Sequence, residues 1–420
     1  MNTELLTELW ATARRNKLRT ALTGFAVAWG IFMIIFLLGA GNGLINAVTQ
    51  NSAMMLDNSM MVWGGQTSKP YNGLKEGRWV QLNDRDLDAT RHEFAANIDE
   101  VGATVNRDNL TFSLGDNYYN TTLSGVYPNE ATINKKEMLF GRFINDIDIS
   151  QDRKVVVISR SLAEQLVSHD VAQLVGRYIN VGDFAFRVVG IYKTEENSSD
   201  NNAYTAFTTL RKMYGMGDKA GNIVFSFHGL NTEQQNDNFE KQYTARINRN
   251  HQADPTDRSS VWIWNRFTQN MQMNKGMTLI RLALWVVGLF TLLSGVVGVS
   301  NIMLITVKER TREFGIRKAI GATPASLLRL IIAESVIITL FFGYIGMLCG
   351  IAANEYMNAT IGHTVVDSGL FKATMFVNPT VGLDVCFGAT AVMVVAGTLA
   401  GLMPAWRAAR IRPIEALRAE

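Results

Sequence analysis

The chain has 420 residues, with 40 Lys plus Arg against 37 Asp plus Glu for a net charge of +3, and only two cysteines. So small an excess excludes the strongly basic surface on which nucleic-acid affinity depends, and two cysteines exclude a disulfide-built scaffold. Hydrophobic residues make up 47% of the whole, but the uncharged ones are gathered into blocks that divide the chain.

Residues 1–20 open with ELLTELWATARR, in which Leu5, Leu6, Leu9, Trp10 and Ala13 share one helical face while Glu8, Arg14 and Arg15 lie elsewhere. An amphipathic helix of this kind suits the inner membrane surface, with Trp10 at headgroup level, or the flank of a neighbouring subunit. No Asp, Glu, Lys or Arg occurs between Arg19 and Asp57, and residues 21–45 are expected to form a first transmembrane helix. The block is longer than the roughly 7–15 residues of a signal-peptide core, so it reads as an uncleaved signal anchor.

Residues 46–275 are expected to form one large extracytoplasmic domain, α+β in class and two-lobed, standing on a two-helix stem. Asn83 is a helix cap before Leu87, Phe94 and Ile98, which share one helical face, and Phe239, Tyr243 and Ile247 do the same later. KVVVISRS reads as a short β-branched run leading into a helix with Leu162 and Leu166 on one side. Gly182-Asp183 reads as a hairpin turn, and EENSSDNN at 195–202 as an exposed loop. Neither cysteine falls in this domain, since Cys349 and Cys386 lie in later apolar blocks.

Three more uncharged runs follow, Leu282–Val307, Ser335–Asn354 and Val385–Trp406, each near the roughly 20 residues that cross a bilayer. They predict transmembrane helices over 276–307, 325–354 and 381–405, with an extracytoplasmic loop at 355–380 and a cytoplasmic tail at 406–420. Lys and Arg crowd residues 14–19, 308–329 and 407–418, whereas the loop from Glu355 to Asp384 holds only Lys372. By the positive-inside rule both termini and the 308–324 segment are cytoplasmic and the large domain is outside. Small residues recur four apart at Gly39/Gly43, Ser294/Gly298, Gly346/Gly350 and Gly397/Gly401, a spacing that lets helix backbones approach.

Catalytic and metal-binding signatures are absent. His92-Glu93 is not followed by the second histidine of a zinc-protease motif, the five histidines and two cysteines have no ligand spacing, and no phosphate-binding G-x-x-x-x-G-K-[ST] loop occurs. Two polar residues inside the spans are candidates instead. Glu334 is expected near the inner interface, neutralised by Arg329 or the N-terminal arginines, and Asn301 is expected to bond a neighbouring helix.

The segment KERTREFGIRKAIGA at 308–322 places seven charges in the eleven positions Lys308–Lys318, directly after an uncharged run. On a helical wheel these charges point nearly all round, with Phe314, Ile316 and Ile320 scattered among them. The geometry predicts a second span that continues into the cytoplasm, bends near Gly315 and delivers a short helix. Thr323-Pro324 then caps and starts the next one. Mixed charge with interleaved apolar residues suits a surface for another protein.

NIMLITVKERTREFGIRKAIGATP at 301–324 closely resembles the end of the second membrane helix in ABC-transporter permeases of the MacB/FtsX type. RRNKLRTALT at 14–23 and PAWRAARIRPIEALR at 404–418 follow the same family. So do RLIIAESVII around Glu334 and, in the outer domain, SGVYP, LFGR, KVVVISRSLAEQL, VGRYINVGDFAFRVVGIYK and RINRNHQADPTD. The resemblance implies a permease that binds no cofactor itself and is not an enzyme. Residues Glu309, Arg310, Thr311, Arg312, Glu313, Phe314, Gly315, Ile316, Arg317, Lys318 and Ile320 would couple it to an ABC ATPase.

MacB carries its ATPase on the same polypeptide. Because no P-loop occurs in these 420 residues, the expectation is a separate ATPase subunit holding ATP and Mg, together with a second permease copy. The implied site of action is the bacterial cytoplasmic membrane, and a periplasmic adaptor or outer-membrane channel is a further partner class. Export or extraction of a peptide, lipoprotein, lipid or antibiotic is the leading function. FtsX-type control of cell-wall hydrolases, or lipoprotein release, is the alternative.

Overall fold

The computed structural model describes residues 17–52, 56–167, 170–194, 202–362, 365–367, 372–374 and 376–409. The amphipathic segment with Trp10, Arg14 and Arg15, and most of the 195–202 loop, lie outside the described residues. The chain divides into two compact units. One is Gln50–Asn274 with Asp367–Ala373, and the other takes in Met1–Thr49, Lys275–Val366 and Thr374–Glu420. The first therefore draws a short piece from within the expected 355–380 loop.

The first unit is an α+β body on ten strands: β1 Ser59–Gly64, β2 Ile98–Leu114, β3 Asn117–Val126, β4 Met138–Gly141, β5 Val155–Ser159, β6 Tyr178–Val181, β7 Phe184–Tyr192, β8 Ala203–Ala206, β9 Asn222–Phe227 and β10 Val261–Asn265. They form one sheet in the order β10-β1-β9-β2-β3-β8-β5-β7-β4, with β6 bridging β2 and β7, and no break in it marks off two lobes. Two pairs, β3 with β8 and β5 with β7, are parallel, and the other pairs are antiparallel.

Strand β5 shows why its sequence is apolar throughout. Val156 and Ile158 enter the main core on one face while Val155 and Val157 enter a smaller cluster with Tyr192 and Tyr204 on the other. A strand covered on both faces has no polar side to present. The turn at Gly182, with φ +58, closes the β6–β7 hairpin with Val181 opposite Phe184. Asn83 and Asp86 make a capping box on helix Asp84–Glu93, and Thr232 and Gln235 make another on helix Glu233–Asn250, which buries Phe239, Tyr243 and Ile247. The first helix stops earlier than the periodicity predicts. Ile98 begins β2 instead, because Phe94 closes the helix and packs on Phe239 and Tyr243.

The second unit is helical. Four of its helices are long and apolar enough to cross a membrane, over Gly24–Thr49, Arg266–Glu309, Pro324–Thr360 and Phe387–Ala409. The second is one continuous helix of 44 residues whose first turns belong to the first unit. Packing follows the small residues. A side chain at Gly346 would strike the Ala28 carbonyl oxygen, and Cβ atoms at Gly397 and Gly401 would press on Val336 and Ser335. In the second helix the close approach falls at Gly295, against Ala26, while Ser294 is exposed. Asn354, buried in the third helix, donates Nδ2 to the Ile35 carbonyl at 2.9 Å.

Candidate functional site

The 308–324 segment forms an elbow. The second membrane helix ends at Glu309, Arg310 leaves helical geometry at φ −93 and ψ 12, and a new helix runs Thr311–Ala319. The bend is thus at Arg310, and Gly315 lies buried within the short helix, contrary to the expected break there. A glycine weakens a helix by only about 1 kcal/mol, which tertiary packing readily overrides. Thr311 secures the corner by donating its hydroxyl to the carbonyls of Val307, at 3.1 Å, and Lys308, at 2.7 Å. The short helix ends at Ile320. Gly321, at φ +104, then takes the left-handed conformation, and Ala322 donates back to the Arg317 carbonyl. Thr323 caps the third membrane helix with Pro324 in its first turn.

Phe314 fixes the short helix to the membrane unit. Its side chain is 1% exposed and lies in a cluster with Val307, Leu327, Ile331, Ala405 and Ala408 from the second, third and fourth membrane helices. Lys318 adds a second tie, donating Nζ to the Ala409 carbonyl at 2.8 Å, where a cation also suits the negative end of that helix. The elbow is therefore held by three helices at once.

Its charges form a ladder along one side. Arg310 grips Glu313 through Nε at 2.9 Å and Nη2 at 3.1 Å, and Arg317 Nη2 meets the same carboxylate at 2.8 Å. Hydrogen bonding from Arg310 first, and the nearby charges of Arg310 and Arg317, hold the Glu313 carboxyl below its usual range against the opposing effect of burial. Arg310 also turns Nη1 toward Glu334 Oε2 at 3.4 Å and stacks on the Phe314 ring at 5.3 Å. Glu334 is 7% exposed and pairs with Arg310 of the elbow; of the expected partners, Arg329 is exposed, and the N-terminal Arg14 and Arg15 lie outside the described residues.

The outward face is of different composition. Arg312, Ile316, Ala319 and Ile320 are exposed, Ile316 by 43% and Ile320 by 81%, and Lys308 and Glu309 are exposed at the corner. Asn301 is exposed on the second membrane helix, away from the elbow. The site thus has an inner side made of Arg310, Glu313, Phe314, Arg317 and Lys318 and an outer side of apolar residues rimmed with charge. The Arg310–Glu313–Arg317 ladder was present in the sequence as i, i+3 and i+4 spacing. The ties to Glu334 and Ala409 had no local signal. Among the described residues no group of three or more His, Cys, Asp or Glu side chains could hold a metal ion.

Comparison with known proteins bears on both units. The MacB-like periplasmic core domain matches residues 20–243, and the FtsX-like permease C-terminal region matches residues 285–413. The macrolide export ATP-binding/permease protein MacB of Bdellovibrio bacteriovorus is 22% identical over 99% of this chain and 62% of its own length. MacB of Chlorobaculum tepidum is 28% identical over 96% of this chain and 60% of its own. The pyoverdine export ATP-binding/permease protein PvdT of Pseudomonas entomophila is 25% identical over 99% and 60%. The chain therefore spans about six-tenths of the length of the curated relatives it matches. The crystal structure of the periplasmic region of MacB from Actinobacillus actinomycetemcomitans overlays with a TM-score of 0.43 at 16% identity, covering 54% of this chain and 97% of that one.

Proposed function

The chain belongs to the family of ABC-transporter permeases with a MacB-like periplasmic core domain and an FtsX-like membrane region, and on that premise we propose that it is a lever driven by ATP hydrolysis on a separate subunit. The outer face of the elbow, with Ile316 and Ile320 set among Arg312, Lys308 and Glu309, is the surface that carries this reading. Apolar groups exposed beside charge are what a partner protein buries, with the charges fixing register. The ATPase subunit, holding ATP and Mg, docks there. Two permease copies and two ATPases make the working unit in the bacterial cytoplasmic membrane, with both permease termini inside and the large α+β domain outside.

Closure of the ATPase pair pushes the elbow. Because Phe314, Lys318 and the Arg310–Glu334 pair tie the elbow to three membrane helices, the push moves those helices together. The helix Arg266–Glu309 continues without interruption to the outer unit and carries the displacement there. Four spans per chain leave little room for an enclosed path, which favours mechanical transmission over a cargo tunnel. The substrate is an envelope-associated peptide, lipoprotein, lipid or antibiotic, the class to which the macrolides and pyoverdine named for its relatives belong.

The test is co-purification of the chain with a P-loop ATPase, followed by measurement of nucleotide turnover with Arg312→Glu and Ile320→Glu. Loss of permease-dependent ATPase stimulation in a correctly inserted protein supports the lever. Unchanged stimulation removes it.

A further inference from the structure

A buried cation far from the elbow has no part in docking. Arg266, the first residue of the 44-residue helix, is 3% exposed. Its Nη1 donates to Ser59 Oγ at 3.2 Å and to the Ile133 carbonyl at 3.3 Å, and its Nη2 donates to Asn134 Oδ1 at 3.0 Å. The guanidinium lies 4.9 Å above the Trp264 ring. Its partners therefore come from β1, β10 and the end of helix Asn129–Ile133.

The same Ile133 carbonyl also accepts from Leu56 N at 2.8 Å. Leu56 lies just before β1 and Arg266 directly after β10, so one oxygen gathers the chain ahead of the first strand and beyond the last. Just beyond, Asn270 Nδ2 donates to Asp57 Oδ1 at 2.8 Å. Asn265 caps the long helix by accepting from Thr268 N at 3.2 Å, and its own Nδ2 is held by Asn236 at 2.8 Å. From Ile133 the chain runs on to β4, at the opposite edge of the sheet from β10. The node thus ties the β10–β1 margin of the sheet to the turn after helix Asn129–Ile133.

We propose that Arg266 is a positioning residue: it clamps the entering and leaving chain to the sheet, so that the outer unit turns as one body with the first turns of the helix Arg266–Glu309. This rests on the lever reading. A hinge at this point would absorb displacement delivered by the helix, and a planar fork with fixed donors, buried among several acceptors, opposes such a hinge in a way a flexible point charge does not.

The test uses the full chain with its ATPase subunit in lipid nanodiscs, carrying Cys349→Ser and Cys386→Ser. Spin labels at Met273→Cys on the helix and Tyr118→Cys at the sheet, both exposed in the unmodified protein, report the width of the helix-to-sheet distance distribution. A second pair, Asp88→Cys on helix Asp84–Glu93 with Tyr118→Cys, reports the rigidity of the α+β body itself. With Arg266 the first distribution is narrow with and without a non-hydrolysable ATP analogue. Arg266→Gln broadens it about twofold, while Arg266→Lys, which keeps the charge and loses the fork, lies between. The Asp88–Tyr118 width stays constant throughout. A first-pair width unchanged in Arg266→Gln overturns the proposal, as does equal broadening of both pairs, which would make Arg266 a general stabiliser. Failure of the lever is read elsewhere, as an ATPase rate indifferent to the elbow, and leaves these widths untouched.

Discussion

Arg310 and Glu334 meet at 3.4 Å, joining the corner of the elbow to the third membrane helix through two side chains that are 17% and 9% exposed. Removing one member of a buried pair strips the other's charge of that compensation, at a cost of up to about 3–5 kcal/mol. Arg310→Ala should therefore lower the thermal midpoint in detergent clearly, and adding Glu334→Gln to it should restore part of the loss. A double variant less stable than Arg310→Ala would show that the pair is not what holds Glu334.

Phe314 is the apolar pin of the short helix. Phe314→Ala empties a site lined by Val307, Leu327, Ile331, Ala405 and Ala408. It should cost about 3–5 kcal/mol, as large-to-small changes in cores do. Phe314→Leu should cost much less. Thermal unfolding of the two variants side by side checks the order.

The elbow should be sensitive to acid. The carboxyl of Glu313 is held low by Arg310 and Arg317, so its ionised form contributes stability that is fully present above the ordinary glutamate range. That contribution is lost as pH falls through its lowered folded-state value. The drop in thermal midpoint on acidification should be smaller in Glu313→Gln. An identical drop in both proteins would mean that the ladder contributes nothing.

Gly346 has no room for a side chain beside the Ala28 carbonyl. Gly346→Leu should separate the first and third membrane helices and lower folded yield, whereas Gly276→Leu, where a Cβ would meet nothing, should be silent. Detergent-extracted monodisperse protein is the readout.

The proposed sidedness has its own check. A reporter fused after Asn201 should be active only when it folds outside the cytoplasm, and activity of a cytoplasmic reporter at that position would invert the topology.

Much of this was legible because local chemistry decided it. Asn83 and Thr323 both cap helices with the side-chain oxygens that their sequence positions offered. The β-branched run of β5 and the Gly182 turn were equally local. The misreadings came where distant partners decided. Ile98 follows Phe94 at helical spacing, yet pairing with Phe227 of β9 draws it into a strand. Gly315 offered a break that packing declined, and the corner formed at Arg310, whose partner Glu334 is 24 residues away. Arg266 carried no local signal, and only the convergence of β1, β10 and the 129–134 turn buries it.

The central claim is that the outer side of the elbow receives the force of a separate ATPase. The most direct measurement is nucleotide turnover by the purified permease–ATPase assembly carrying Ile316→Glu and Ile320→Glu, beside the unmodified assembly. Both side chains point outward, so stability should change by no more than about 0.5 kcal/mol. Stimulation of ATPase activity should vanish while the chain remains inserted and folded. Stimulation at the unmodified level would contradict the account.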